Sequence, residues 1–118
     1  MQKFNSVDEL INTIQPVEPV YCIRPKSVRL ACGWFKNNFP GNVLYAVKTN
    51  PNEKIIKYVG ESGVSRFDVA SINEIRLIKK IFPKSRAYYM NTVKSRDHIK
   101  EAYLNYNIRD FALDTKEE

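Results

Sequence analysis

Four short segments of this chain share one plan: VLYAVKTN, SRFDVAS, AYYMNTV and DFALDTK. Each is an apolar or aromatic run with one polar residue near its end. Those polar residues are Lys48, Asp68, Asn91 and Asp114, spaced 20, 23 and 23 apart. Between the runs the apolar residues change to helical spacing. Ile55, Ile56 and Val59 mark one helix, Ile72, Ile75, Leu77 and Ile78 the next, and Ile99, Ala102, Tyr103 and Tyr106 a third. A strand recurring at this period with a helix in each gap predicts an α/β chain of βα units, because parallel neighbours must be joined by a long crossover. Strands are expected over 43–48, 66–70, 87–91 and 111–114, parallel and in sequential order.

Helix-start signals fall in the gaps. Asn50-Pro51-Asn52-Glu53 offers a capping Asn, a proline for the first turn and an acidic residue close behind. Ser71-Ile72-Asn73-Glu74 is a capping box. Gly60 and Gly63 lie where the first of these helices should stop. Asp114 or Thr115 is placed to open one more helix. The N-terminal third reads differently. Ser6 and Glu9 cap a short helix running to Ile14, Pro16 and Pro19 interrupt it, residues 19–24 read as a strand, and residues 26–38 as an amphipathic helix. The expected division is therefore a helix-and-strand extension over 1–24 and βα units over 25–118.

Composition narrows the class. With 118 residues, 43% hydrophobic and 27% charged, a single globular domain is expected rather than a disordered chain. No apolar run approaches the ~20 residues of a membrane helix. Asp8 and Glu9 stand where a secretion signal would carry its apolar core, so a cytoplasmic protein without a membrane partner is expected. Cys22 and Cys32 accompany one histidine in the whole chain, which gives no metal-ligand spacing, and reads as two reduced, buried thiols. The net charge of +6 is concentrated between Arg76 and Arg86. Arg76, Lys79 and Lys80 fall opposite Ile75, Ile78 and Phe82, as on a solvated helix face, and no nucleic-acid motif accompanies them, so no nucleic-acid partner is expected.

The polar strand ends carry the chemistry. In barrels and in open parallel sheets alike, ligands meet the C-terminal ends of the strands. A lysine ending an apolar run loses hydration, which is unfavourable unless something compensates. By strand alternation Leu44, Ala46 and Lys48 share one face, and the small Ala46 leaves room beside the lysine. Lys48 is thus a candidate Schiff-base nucleophile, its charge removed by bonding an aldehyde or balanced by Asp68 on the next strand.

At these residues a family resemblance emerges. YAVKTNP, FDVAS followed by Glu74, YMNTVKS and FALDTKEE resemble, in that order, the first part of the barrel of the ornithine decarboxylases. These belong to the alanine-racemase-fold, or group IV, pyridoxal-phosphate enzymes, together with the arginine and diaminopimelate decarboxylases. The match runs from about Pro19 onward, and FDVAS with NTVK is closer to the ornithine enzymes, including bacterial ornithine/lysine ones, than to the diaminopimelate enzymes.

The resemblance implies a partial TIM (β/α) barrel of about the first four strands, with 25–118 as the N-terminal half of a pyridoxal-phosphate-binding barrel domain. It implies that Lys48 bonds pyridoxal 5'-phosphate covalently, that Lys48 and Asp68 are catalytic, and that Ala46, Asp68 and Glu74 lie at the cofactor. For Ala46 ordinary strand packing stays open beside that role. For Asp68 and Glu74 the alternative is capping of the following helix. Asn91 and Asp114 are read as wall or cap residues, and His98, within a helix pattern, does not match the family histidine that stacks on the cofactor. The implied reaction is a carboxy-lyase step, ornithine to putrescine and CO2 in polyamine synthesis, with ornithine or lysine as the amino-acid substrate and a homodimer in the complete enzyme.

A family barrel has eight strands. The ring-stacking histidine, the glycine-rich phosphate site and the carboxylate that pairs with the pyridine nitrogen are expected later than Glu118. The chain is therefore expected to be inactive alone, as a fragment, a decayed gene product or one subunit whose partner chain carries the missing half. Two alternatives stand beside this: a non-catalytic half-barrel that pairs with or regulates a decarboxylase subunit, and a relative of the diaminopimelate or arginine decarboxylases or the alanine racemases.

Overall fold

The computed structural model describes residues 2–117. Helix α1 (Val7–Ile14) starts at Ser6, whose Oγ accepts from the Glu9 N–H at 3.0 Å. The Glu9 carboxylate in turn accepts from the Asn5 N–H at 2.7 Å, so the expected capping box forms one residue early on its return side. Helix α2 (Pro25–Asn38) begins on Pro25, whose missing N–H costs a first turn nothing. Strand β1 (Tyr45–Ala46) passes into a 3-10 turn over Val47–Thr49 and then into helix α3 (Glu53–Glu61). Strand β2 (Arg66–Val69), helix α4 (Ile72–Ile81), strand β3 (Arg86–Tyr89) and helix α5 (Arg96–Tyr106) complete the order.

The sheet is parallel throughout, in the order β1-β2-β3, as the βα period requires. The three strands form an open parallel sheet with the helices packed on one face, as the first βα units of a barrel would. Alternation along β2 buries Phe67 and Val69 against the helices, and β3 buries Ala87 and Tyr89 on the same side. Ile56 and Val59 of α3 and Ile75 and Ile78 of α4 meet them there. Phe67 stacks on Phe82 with ring centroids 6.0 Å apart. A Cβ at Gly60 would enter the Phe82 ring, so this helix end must be glycine for α3 and α4 to approach. Gly63 turns the chain towards β2 with φ +86, a left-handed conformation that glycine adopts without strain.

Four expectations are corrected. Residues 19–24 form no strand: five of the six side chains are exposed, and among the described residues no neighbouring strand pairs with this segment. The strand expected at 111–114 is reduced to a single parallel bridge between Phe111 and Tyr89, made by Tyr89 N–H to Asp110 O and Ala112 N–H to Tyr89 O at 2.9 and 3.0 Å. With no further strand on its far side among the described residues, that segment has no second ladder to hold it extended. Residues 114–117 are not helical. The cysteines are not a buried pair, since Cys22 is exposed and Cys32 is only half-buried.

The basic residues of α4 behave as a solvated helix face. Lys80 reaches Glu53 at 2.9 Å and Arg76 holds Glu101 through two bonds of 2.9 and 2.8 Å, lacing α4 to α3 and to α5. Among the described residues no helix is long and apolar enough to cross a membrane. The radius of gyration is 17.4 Å, where a compact domain of this length would have about 13 Å. Leu30, Trp34 and Phe35 of α2 stand in solvent at 64%, 61% and 50% exposure.

Candidate active site

The register of the sheet sets the site. Ala46 lies opposite Asp68, and Asp68 lies opposite Tyr88, so these three form one row across β1, β2 and β3. Alternation turns the row away from Phe67, Val69 and Tyr89, which face the helices. It therefore lies on the face that a closed barrel would enclose. Tyr88 lies on this inner face, and Tyr89 is buried on the opposite one. The two adjacent tyrosines of AYYM left the choice to the sheet register.

Lys48 sits two residues beyond Ala46, past the C-terminal end of β1. The strand alternation that grouped it with Leu44 and Ala46 does not reach it, because the chain leaves the strand at Val47. Val47 is fully buried in the core, and the Thr49 Oγ1 donates to the Ala46 carbonyl at 2.7 Å, which together fold the segment into the 3-10 turn. The Asn50 N–H closes the turn on the Val47 carbonyl at 3.1 Å. Lys48 projects from this turn as an exposed amine, and neither it nor Asp68 takes part in an ion pair among the described residues.

The turn is strapped on both sides. The Tyr45 hydroxyl donates to the Asn50 carbonyl at 3.0 Å, and the Asn50 Nδ2 donates to the Tyr21 hydroxyl at 2.7 Å. Burial pushes the Tyr45 phenol above its ordinary range, so it stays a donor. The Asn50 Oδ1 accepts from the Asn52 N–H at 3.2 Å, and Asn52, rather than Asn50, caps α3. Tyr21 and Tyr45 were not singled out from the sequence. An aromatic hydroxyl flanking a turn motif was the available signal, but its partner across 29 positions is a tertiary fact.

Glu74 is engaged by backbone. Its carboxylate accepts from the Ala70 N–H at 2.8 Å, while its own N–H donates to Ser71 Oγ at 3.3 Å. This fixes the short link from β2, just past Asp68, into α4. The charge of Glu74 also reaches Tyr89, whose phenol is held above its ordinary range first by burial and then by that carboxylate. Lys94, another residue the sequence reading passed over, donates to the carbonyls of Asn91, Thr92 and Ala112 at 2.8, 2.9 and 2.7 Å and so ties the end of β3 to the following segment. Asn91 bonds the Val93 carbonyl at 2.7 Å, a turn role. Asp114 is exposed in a bend, and His98 is exposed in the first turn of α5. No group of three or more potential metal-ligating side chains occurs among the described residues.

Residues 26–118 match the family described as pyridoxal-dependent decarboxylase, pyridoxal binding domain. No curated protein matches the chain closely enough to count as a relative. Among solved structures, a lysine decarboxylase from Selenomonas ruminantium superposes with a TM-score of 0.81 at 25% identity, over 99% of this chain and 31% of that one. A second crystal form of that enzyme gives 0.79 at 27% identity, over 100% and 32%. The structure of SrLDC in complex with PLP and cadaverine gives 0.78 at 26% identity, over 99% and 31%. The chain thus spans about a third of the length of these structures.

Proposed function

Since the chain belongs to the pyridoxal-dependent decarboxylases, as their pyridoxal-binding domain, we propose that it supplies the cofactor-anchoring rim of a cytoplasmic amino-acid decarboxylase acting on a diamino acid. Ornithine, giving putrescine for polyamine synthesis, is the reading favoured by FDVAS and NTVK; lysine is the alternative favoured by the enzyme it resembles in structure. The observation that carries the proposal is Lys48, an exposed amine in no ion pair among the described residues, just past β1 and beside the Ala46–Asp68 pair.

These residues fit pyridoxal phosphate. A neutral lysine amine can bond an aldehyde, Ala46 leaves space for a flat ring, and Asp68 places a carboxylate on the neighbouring strand. Bound there, the cofactor supplies a sink for the electrons left when an amino acid loses CO2. Asp68 would hold and orient the Lys48 ammonium and the substrate's cationic groups. Glu74 would act one step removed, keeping the link after Asp68 in place through Ala70. In a longer protein the remaining barrel strands would complete the phosphate and ring contacts, and a homodimer would be the working assembly.

The open edges of the sheet support a second reading, a half-barrel that works by pairing with a complementary chain. One titration serves both. Pyridoxal phosphate added to the chain should give weak covalent attachment, trapped by borohydride at Lys48 and absent in Lys48→Ala, with no CO2 released from ornithine or lysine. Attachment undiminished in Lys48→Ala would overturn the proposed site. Decarboxylation by the pure chain would overturn the dependence on further barrel elements. A complementary fragment that restores CO2 release, with a preference for one amino acid, would identify the substrate.

A further inference from the structure

We propose that a groove at the N-terminal ends of the strands, on the rim opposite Lys48 and Asp68, binds a small multivalent oxyanion carrying two or three linked phosphoryl groups. The open groove has a volume of about 640 Å3, within the range of small-molecule pockets. Lys79, Lys84, Arg86 and Arg109 line it, and Asp110 is its one carboxylate. It lies where Arg86 begins β3 and Asp110 precedes the bridge residue Phe111, so it is remote from the C-terminal rim by the length of the sheet.

Three of the cations are already held in place. Asp110 accepts from Arg86 Nε and Nη2 at 3.0 to 3.2 Å, and the guanidinium lies over the Tyr88 ring at 5.0 Å. Arg109 stacks on Tyr103 at 4.0 Å and donates through Nη1 to the carbonyls of Tyr103 and Ile108, both at 2.9 Å. Lys79 donates to the Ser85 carbonyl at 2.6 Å, and burial holds its ammonium below the ordinary lysine range. Carbonyls orient these groups without neutralising them, so one carboxylate leaves most of the positive charge uncompensated. Lys84 is exposed and in no ion pair among the described residues.

A guanidinium has five N–H donors, and the bonds just described leave several of them free for phosphoryl oxygens. Side chains immobilised in advance lose little entropy on binding, and a concave wall focuses their field. The local, concave placement of the cations favours a compact anion over a nucleic-acid strand, which needs a basic stripe along its backbone. The inference stands on this groove alone and does not depend on the chemistry at Lys48.

Equilibrium dialysis of the full chain against inorganic tripolyphosphate tests it, since that readout tolerates self-association. One saturable site per chain is expected, weakened about tenfold in Lys84→Gln/Arg109→Gln, the loss expected when charge-assisted bonds are removed. Lys84→Gln alone, at an exposed position, should weaken binding by about threefold for the same reason. Lys3→Gln/Lys26→Gln carries the same charge change away from the groove and should bind as the parent does. Non-saturable uptake, equal losses in the two double variants, or displacement by a short RNA oligonucleotide at lower concentration than by tripolyphosphate itself would overturn the proposal.

Discussion

Asn50 and Tyr21 are joined side chain to side chain at 2.7 Å, tying the segment ahead of α2 to the turn that carries Lys48. The bond is exposed, so Tyr21→Phe should cost less than about 1 kcal/mol in unfolding free energy. Its effect should fall on the turn instead. The rate at which pyridoxal phosphate is trapped at Lys48 should change in Tyr21→Phe, while Tyr103→Phe on α5, away from the turn, should leave it as in the parent. An unchanged rate in Tyr21→Phe would show that Val47 and Thr49 hold the turn unaided.

Glu74 separates two roles by substitution. Glu74→Ala removes the acceptor of a half-buried backbone N–H and should destabilise the chain by about 1 kcal/mol. Glu74→Gln keeps an acceptor oxygen and should recover most of that loss. Urea midpoints measure both. If Glu74→Gln recovers stability but still lowers trapping at Lys48, the charge itself acts at the cofactor; if it recovers both, Glu74 is a cap.

The edges of the sheet set the state of the chain in solution. One edge of β1 has no strand beside it among the described residues, and an apolar groove of about 550 Å3 lined by Val28, Phe35, Leu44, Ala46, Ile55 and Val59 opens there. Unpaired strand edges next to apolar surface recruit other chains. The net charge of +6 opposes this but is screened at physiological salt. Sedimentation of the purified chain should show dimers or larger species. A clean monomer with a sharp, cooperative unfolding transition would contradict this expectation.

Periodicity and capping are local, and what depended on them was legible. The change from strand to helical spacing set the βα order, and the parallel sheet in sequential order followed from it. Ser6, Ser71 and the helix end at Gly60 to Gly63 were readable because a cap is made within a few residues. The placement of Lys48 and Asp68 at strand ends came from the same pattern. What the pattern could not carry was any choice settled by a partner distant in sequence. Which tyrosine of AYYM faces the helices was decided by the pairing of β3 with β2. Lys48 lies beyond the strand because the pairing of β1 with β2 stops at Ala46 and Asp68. Residues 19–24 and 111–114 carry strand-like composition, but a strand exists only where a neighbour completes its hydrogen bonds. Tertiary structure alone decided that the first segment has none among the described residues and that the second has a single bridge.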